Sequence, residues 1–331
     1  VRKIILALSL VSLGSIVVAL SIGAVNVPLN EVISSLSPSS ISLYRRGDLS
    51  GAKFIILDIR LPRVLLAYLV GFSLALSGTA SQALFKNPLA DPYVLGISGG
   101  ASIGAALALA YDPRYIEIAA FFGAVLAVYI VYSISKVNGH IPVDVLLLAG
   151  IAVGFFSHAV TSYVLYTNKD RIHQGLLWLF GTFALATWKK VGIMLGVSIL
   201  GALLLFMSWR ELNLLLLGEE SIALGLDVNM YRKLIILAIS IMTGVAVAES
   251  GVIGFIGLVS PHIMRMIVGP NHKRLLPTAA MFGGILAVLS DLIARIAIAP
   301  AEIPIGIVTA LFGAPFFAYL LVRKKRGELY A

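Results

Sequence analysis

The sequence is organised by ten long apolar runs, near 4–25, 62–84, 94–111, 116–135, 143–166, 191–209, 233–249, 252–268, 278–298 and 304–322. A helix needs about 20 mostly apolar residues to cross the hydrocarbon core of a bilayer. In lipid every backbone N–H and C=O must be satisfied internally, which leaves only helices and closed barrels. Runs this long are not barrel strands. The expected fold is an all-α polytopic membrane protein of about ten transmembrane helices, one domain over 1–331. Composition agrees: 59% of the 331 residues are hydrophobic and only 12% charged, with a mean hydropathy of +0.99. A soluble chain is nearer about 25% charged, so this one has too few polar residues to cover a surface facing water.

An eleventh apolar run, 176–187, is too short to cross and is expected to be interfacial or re-entrant. The 252–268 run is marginal, with Pro261, His262 and Arg265 near its end. Val1-Arg2-Lys3 and the apolar stretch after it resemble a secretory signal. That stretch exceeds the usual signal core of about 7–15 residues, so it reads as a retained first helix. Two hydrophilic stretches interrupt the pattern, 26–61 and 210–233, and neither is long enough for a domain.

Ten spans put both termini on one side. With the termini inside, the inner side holds 14 Lys/Arg and 7 Asp/Glu, the outer side 11 and 9. The positive-inside rule then favours cytoplasmic termini, an outer loop at 26–61 and a cytoplasmic region at 210–233. The formal charge of +9 reads as loops facing cytoplasm and anionic lipid rather than as a nucleic-acid surface. The chain has no cysteine, which excludes disulfides, thiolate metal sites and cysteine nucleophiles. Neither a phosphate-binding loop nor a metal-ligating histidine spacing occurs. Gly96-Ile97-Ser98-Gly99-Gly100 matches a hydrolase elbow in letters only, because it opens an apolar helix instead of following a strand. No enzyme activity, cofactor or metal is expected.

Spacing of four in Gly96/Gly100/Gly104 and Gly192/Gly196 puts small residues on one helix face, the pattern for close helix contact in lipid. Gly251/Gly254/Gly257 and Gly283-Gly284 add to it. More specific blocks follow one another along the chain. Arg60-Leu61-Pro62-Arg63 opens the second span, with Pro62 suited to a first helical turn. Phe85-Lys86-Asn87-Pro88-Leu89-Ala90 forms the turn after it. Gly254-Phe255-Ile256-Gly257-Leu258-Val259-Ser260-Pro261-His262 carries Pro and Gly inside an apolar segment, so it should be buried in protein. Asp291-Leu292-Ile293-Ala294-Arg295 and Glu302-Ile303-Pro304-Ile305-Gly306 close the series.

In this order the blocks resemble the FecCD-type permease family of type II ABC importers, which take up ferric siderophores, haem, cobalamin and related chelates. The resemblance covers about residues 55–322. It implies a homodimer in the cytoplasmic membrane with a central pathway, two ABC ATPase subunits on the cytoplasmic face and an extracytoplasmic substrate-binding protein. Residue by residue, it implies docking of the binding protein at Arg60, Arg63 and Arg295. It also implies ATPase coupling through Glu219, Glu220, Ala223, Leu224 and Gly225, the last a C-cap. Asn87 matches a position near the cytoplasmic gate, and His158 is a candidate pathway residue on the fifth span. Arginines at the start of a span also snorkel to the interface, and Arg295 is spaced to pair with Asp291 one turn earlier. Glu249, and Val143-Asp144 opening the fifth span, depart from the family pattern. An ion-coupled secondary transporter is the alternative, with His158 and Glu249 as its candidate ionisable groups.

Overall fold

The computed structural model describes residues 2–23, 25–37, 39–40, 44, 51–137, 140–218, 225 and 227–325. Among them are thirteen helices and no strand beyond two isolated bridges. In chain order they are α1 (Arg2–Ser21), α2 (Leu29–Ser35), α3 (Leu61–Leu84), α4 (Ile97–Tyr111), α5 (Ile116–Ile134), α6 (Val143–Thr167) and α7 (Ile172–Leu179). Then come α8 (Trp188–Met207), α9 (Trp209–Leu215), α10 (Val228–Ser250), α11 (Ile256–Val268), α12 (His272–Ile296) and α13 (Ile305–Lys325). Seven helical stretches are long and apolar enough to cross a membrane, and α4, α11 and α13 are shorter apolar helices. Together these ten match the ten apolar runs one for one. One end of the bundle carries Arg60 and is here the arginine end; the opposite end carries Asn87.

Two expectations change. The stretch 26–61 is not all loop, since it contains α2 and, from Ala52, a helical turn that leads into α3. Pro62 is therefore not at a free helix start. Residues Ile55–Arg60 form a wide π-turn just before it, which accommodates a ring and a missing N–H that would otherwise clash with the preceding turn. The run at 176–187, expected to be too short to cross, is broken: α7 ends at Leu179 and Gly181 turns the chain with φ +72.

The centre of the bundle is α3, α10 and α12, each buried along most of its length, whereas α1, α5, α6 and α8 are buried along about a quarter of theirs. Helices approach closely where both faces lack side chains. A methyl group at Gly78 of α3 would lie 1.8 Å from the Gly257 carbonyl oxygen of α11. One at Gly100 of α4 would lie 2.2 Å from that of Gly123 in α5. Gly192 and Gly196 make no such contact, having nothing within 4 Å. Their spacing is present, but their face of α8 has no neighbour at contact distance among the described residues.

Between α10 and α11 the chain unwinds, and its backbone groups find partners inside the protein. Thr182 N donates to Ser250 O at 2.7 Å, Ile305 N to Gly181 O at 3.1 Å and Gly306 N to Phe180 O at 2.8 Å. The Tyr93 hydroxyl donates to Ile253 O at 3.0 Å and accepts from Ile253 N at 3.3 Å. This is the internal satisfaction that irregular backbone at membrane depth requires. It also joins the ends of α7 and α10 to the start of α13.

The packing generates a paired test. Gly78→Leu forces a side chain against a backbone carbonyl and should destabilise by about 1–3 kcal/mol or more. Gly192→Leu has open space and exchanges glycine for a good helix former, which is neutral or favourable by about 1 kcal/mol. Thermal unfolding of both variants in the same detergent checks this, and equal melting temperatures would remove the close α3–α11 contact.

Candidate functional site

Arg60, Arg63 and Arg295 do come together at the arginine end, but inside the protein: each residue is less than a tenth exposed. Arg63 grips Asp291 of α12 with Nε at 3.0 Å and Nη2 at 2.8 Å from Oδ1, and its Nη1 donates to Glu302 Oε1 at 2.9 Å. Arg295 Nε lies 3.1 Å from the other Asp291 oxygen. The rest of Arg295 turns to α1, donating from Nη2 to Ala19 O at 3.0 Å and from Nη1 to Ile22 O at 3.3 Å. Arg60 donates from Nη1 to Leu20 O at 2.6 Å and Ser21 O at 3.2 Å, and from Nη2 to Val25 O.

The chemistry of this network follows from α1. The last carbonyls of a helix have no intrahelical donor and form the negative end of its dipole. α1 ends without a basic residue in its final turn, so two guanidinium groups, Arg60 from the turn before α3 and Arg295 from α12, supply the missing donors. Their burial is tolerated because every arginine is hydrogen-bonded and Asp291 offsets charge locally. In this structure all three side chains are engaged within the chain. The Arg295–Asp291 pairing allowed by helical spacing is the one observed. The accessible member of the network is an acid, Glu302, whose side chain is 40% exposed. Glu302 lines an open cavity of about 540 Å³ together with Trp178, Ile116 and Pro304.

A second polar group at this end surrounds Glu249, the last acid of α10. It is buried, its Oε2 has no hydrogen-bond partner among the described residues, and Lys190 pairs with Glu117 at 2.7 Å while reaching the Glu249 carbonyl at 3.5 Å. Among the described residues no group of three His, Asp or Glu is arranged to hold a metal.

At the opposite end, Asn87 is exposed and shapes its own turn. Its side chain accepts from Leu89 N at 3.0 Å, and its N–H donates to Gln82 O at 3.1 Å. Asp91 then caps the next turn by accepting from Tyr93 N at 2.9 Å. Burial pushes the Asp91 carboxyl up to about 6, against the lowering effect of that bond. Of the expected coupling residues, Glu219, Glu220, Ala223 and Leu224 lie outside the described residues. Gly225 is exposed with φ +83, the left-handed conformation that a C-cap glycine adopts.

His158 is exposed on α6, as are Phe155 and Phe156, 74% and 67% exposed. α13 likewise exposes Leu311 and Phe312. Sequence reasoning found the arginines and the Asp291 spacing. It missed that Glu302 joins them and that Tyr93 clasps Ile253, contacts across 239 and 160 residues that leave no local signal.

Removing the shared acid should be costly. Asp291→Asn leaves Arg63 and Arg295 without their common counter-charge in a buried site, a loss of about 3–5 kcal/mol. Arg114→Ala breaks the surface pair with Asp112, a solvent-screened contact whose loss should hardly change stability. Chemical or thermal unfolding in nanodiscs ranks the two; a smaller loss for Asp291→Asn than for Arg114→Ala would contradict the network.

The profile of the FecCD transport family matches residues 10–323. The chain is 44% identical over 275 residues, 82% of its length and 74% of the relative's, to the cobalamin import system permease protein BtuC of Halobacterium salinarum. It is 39% identical to the hemin transport system permease protein HmuU of Yersinia pestis, over 94% of each chain. Among solved structures it is similar to a metal-chelate type ABC transporter in an inward-facing conformation, with a TM-score of 0.83 and 32% identity over 98% of this chain and 100% of that one. The ten apolar helices and these matches over nearly the whole length have one reading: the chain belongs to the FecCD transport family.

Proposed function

We propose that the chain is the permease subunit of an ATP-driven importer that carries a metal-chelate nutrient of the siderophore, haem or cobalamin kind across the cytoplasmic membrane. The observation that carries the reading is the full-length similarity to a metal-chelate ABC transporter chain. In this reading two copies of the chain form a homodimer, since a two-fold pair lines a central passage twice with the same residues. The exposed apolar faces of α6 and α13, which include His158, line or flank that passage. The Asn87 end faces the cytoplasm, with both termini and the 210–233 region. There Glu219–Gly225 seats in the ATPase subunits, and Asn87 lies near the inner gate.

The permease itself performs no chemistry. ATP binding to partner subunits biases the bundle between outward-open and inward-open states through differential affinity. An extracytoplasmic binding protein docks at the arginine end. Arg60, Arg63 and Arg295 serve that surface by fixing the end of α1 against α3 and α12.

The ion-coupled alternative draws on one feature, the buried Glu249, whose Oε2 has no hydrogen-bond partner among the described residues. That residue sits at the last turn of α10, away from the midplane position at which such carriers hold their coupling ion. Reconstitution separates the readings. Uptake of a labelled siderophore, haem or cobalamin into vesicles holding the permease, ATPase and binding protein should require ATP and survive an ionophore. Uptake that needs an ion gradient and ignores ATP would establish the alternative.

Two substitutions probe the parts. Ala223→Arg adds bulk and charge to the coupling segment and should abolish stimulated ATP hydrolysis or complex formation while the permease stays folded. Wild-type stimulation in that variant removes the coupling assignment. His158→Cys introduces one thiol into a cysteine-free chain, and a hydrophilic maleimide should label it in at least one nucleotide state if α6 faces the passage. Protection in every state places it against lipid or a subunit interface.

A further inference from the structure

The Asn87 end of the bundle carries a basic and aromatic cluster outside the gate and coupling residues. Two helices long and apolar enough to cross a membrane meet there: α8 gives way to α9 through Ser208, and α12 begins at His272. Trp209, the first residue of α9, is half-buried, and two exposed cations lie over its indole ring. The Arg210 guanidinium and the Lys273 Nζ are each 5.2 Å from the ring centroid, within the reach of about 6 Å at which a ring face attracts a cation. Neither cation is in an ion pair among the described residues. Glu211, the acid next to Arg210, instead accepts from the Tyr231 hydroxyl at 3.4 Å. The backbone beneath the two cations is fixed, because the Asn213 side chain of α9 accepts from His272 N at 3.0 Å and donates to Asn271 Oδ1 at 3.2 Å.

We propose that Trp209, Arg210 and Lys273 form a binding site for the phosphate headgroup of an acidic phospholipid. Two cations gathered on one ring repel each other, and an anion bound beside them removes that cost. The position of the cluster selects lipid as the source of the anion. Indole rings concentrate at the headgroup level of a bilayer, and Trp209 stands two residues beyond Met207, the last residue of α8. On α8 itself Leu200, Leu203 and Met207 are exposed and, at i, i+3 and i+7, share one helical face. A phospholipid supplies both complements at once, acyl chains for the apolar stripe and a phosphate for the cations. A free anion or an acidic protein segment meets only the second. Each juxtamembrane lysine or arginine adds affinity for anionic lipid, and two together give roughly tenfold or more. The inference rests on the permease reading only for the leaflet, which is then the cytoplasmic one. The chemistry of the site stands on the cluster and on its place at the end of α8.

The test uses the full chain in an uncharged detergent, titrated with dioleoyl phosphatidylglycerol or dioleoyl phosphatidylcholine, with bound lipids counted by native mass spectrometry. The first phosphatidylglycerol should bind at least roughly tenfold more tightly than the first phosphatidylcholine. Arg210→Gln combined with Lys273→Gln should abolish that preference. Both side chains are exposed, so the double variant should keep the wild-type melting temperature. Lys136→Gln with Lys169→Gln removes the same charge from two exposed positions elsewhere and should leave the preference intact. Equal affinity for the two lipids, or the same loss in both double variants, overturns the site.

Two further arms separate lipid from the other sources of an anion. Inorganic phosphate at millimolar concentration should leave phosphatidylglycerol binding unchanged, and displacement by it makes this a site for the free anion and overturns the lipid assignment. In nanodiscs of phosphatidylcholine alone, the ATPase subunits should associate equally with the wild type and with the Arg210→Gln, Lys273→Gln variant. A loss there assigns the cluster to a protein contact and overturns the lipid site. If reconstituted uptake ignores ATP while the phosphatidylglycerol preference holds, the permease reading fails and the lipid site does not.

Discussion

Arg63 and Asp291 are the interaction on which the arginine end depends. A charged pair in a region of low dielectric is strongly attractive, and strongly unfavourable when either partner is lost. Here the pair spans two central helices, α3 and α12, and each member has a further task. Arg63 extends to Glu302 at the approach to α13, and Asp291 lies beside Arg295, which reaches the carbonyls ending α1. Three helices and the segment before α13 are thereby registered to one another by two carboxylates and two guanidinium groups. Arginine suits this work because its planar fork satisfies two acids, or an acid and a carbonyl, at once.

The rest of the interior obeys a different constraint. Where helices break within the bundle, the exposed backbone groups have no water to turn to. The segment after Ser250 illustrates the solution: its carbonyl takes Thr182 N, and both polar groups of Ile253 are met by one tyrosine hydroxyl. The same bonds make the ends of α7 and α10 and the start of α13 a connected unit.

Much of this architecture was legible in the residues. Apolar run length decided the crossings, because a bilayer imposes a single length scale on every spanning helix. Proline and glycine in the 254–262 segment marked an element that must be enclosed by protein, and Pro261 is buried. Spacing was less reliable for contact. Gly100 meets α5, whereas Gly192 and Gly196 show the same four-residue interval and meet nothing. A small-residue face permits close approach, but whether a neighbour occupies it depends on the placement of other helices.

By itself, then, the sequence determined the class of fold, the number of crossings and the positions of the breaks, since these follow from local hydrophobicity and backbone chemistry. It also determined which charged residues would stand at the arginine end. Only the tertiary structure decided which way those charges turn. Arg60 and Arg63 are three residues apart on a helix that begins with a wide turn, and their partners lie on α1, α12 and the segment before α13. The energy that turns a guanidinium inward comes from acceptors that are distant in the chain. Reading along the chain therefore identifies a cation, and folding decides whether it meets solvent or the end of another helix.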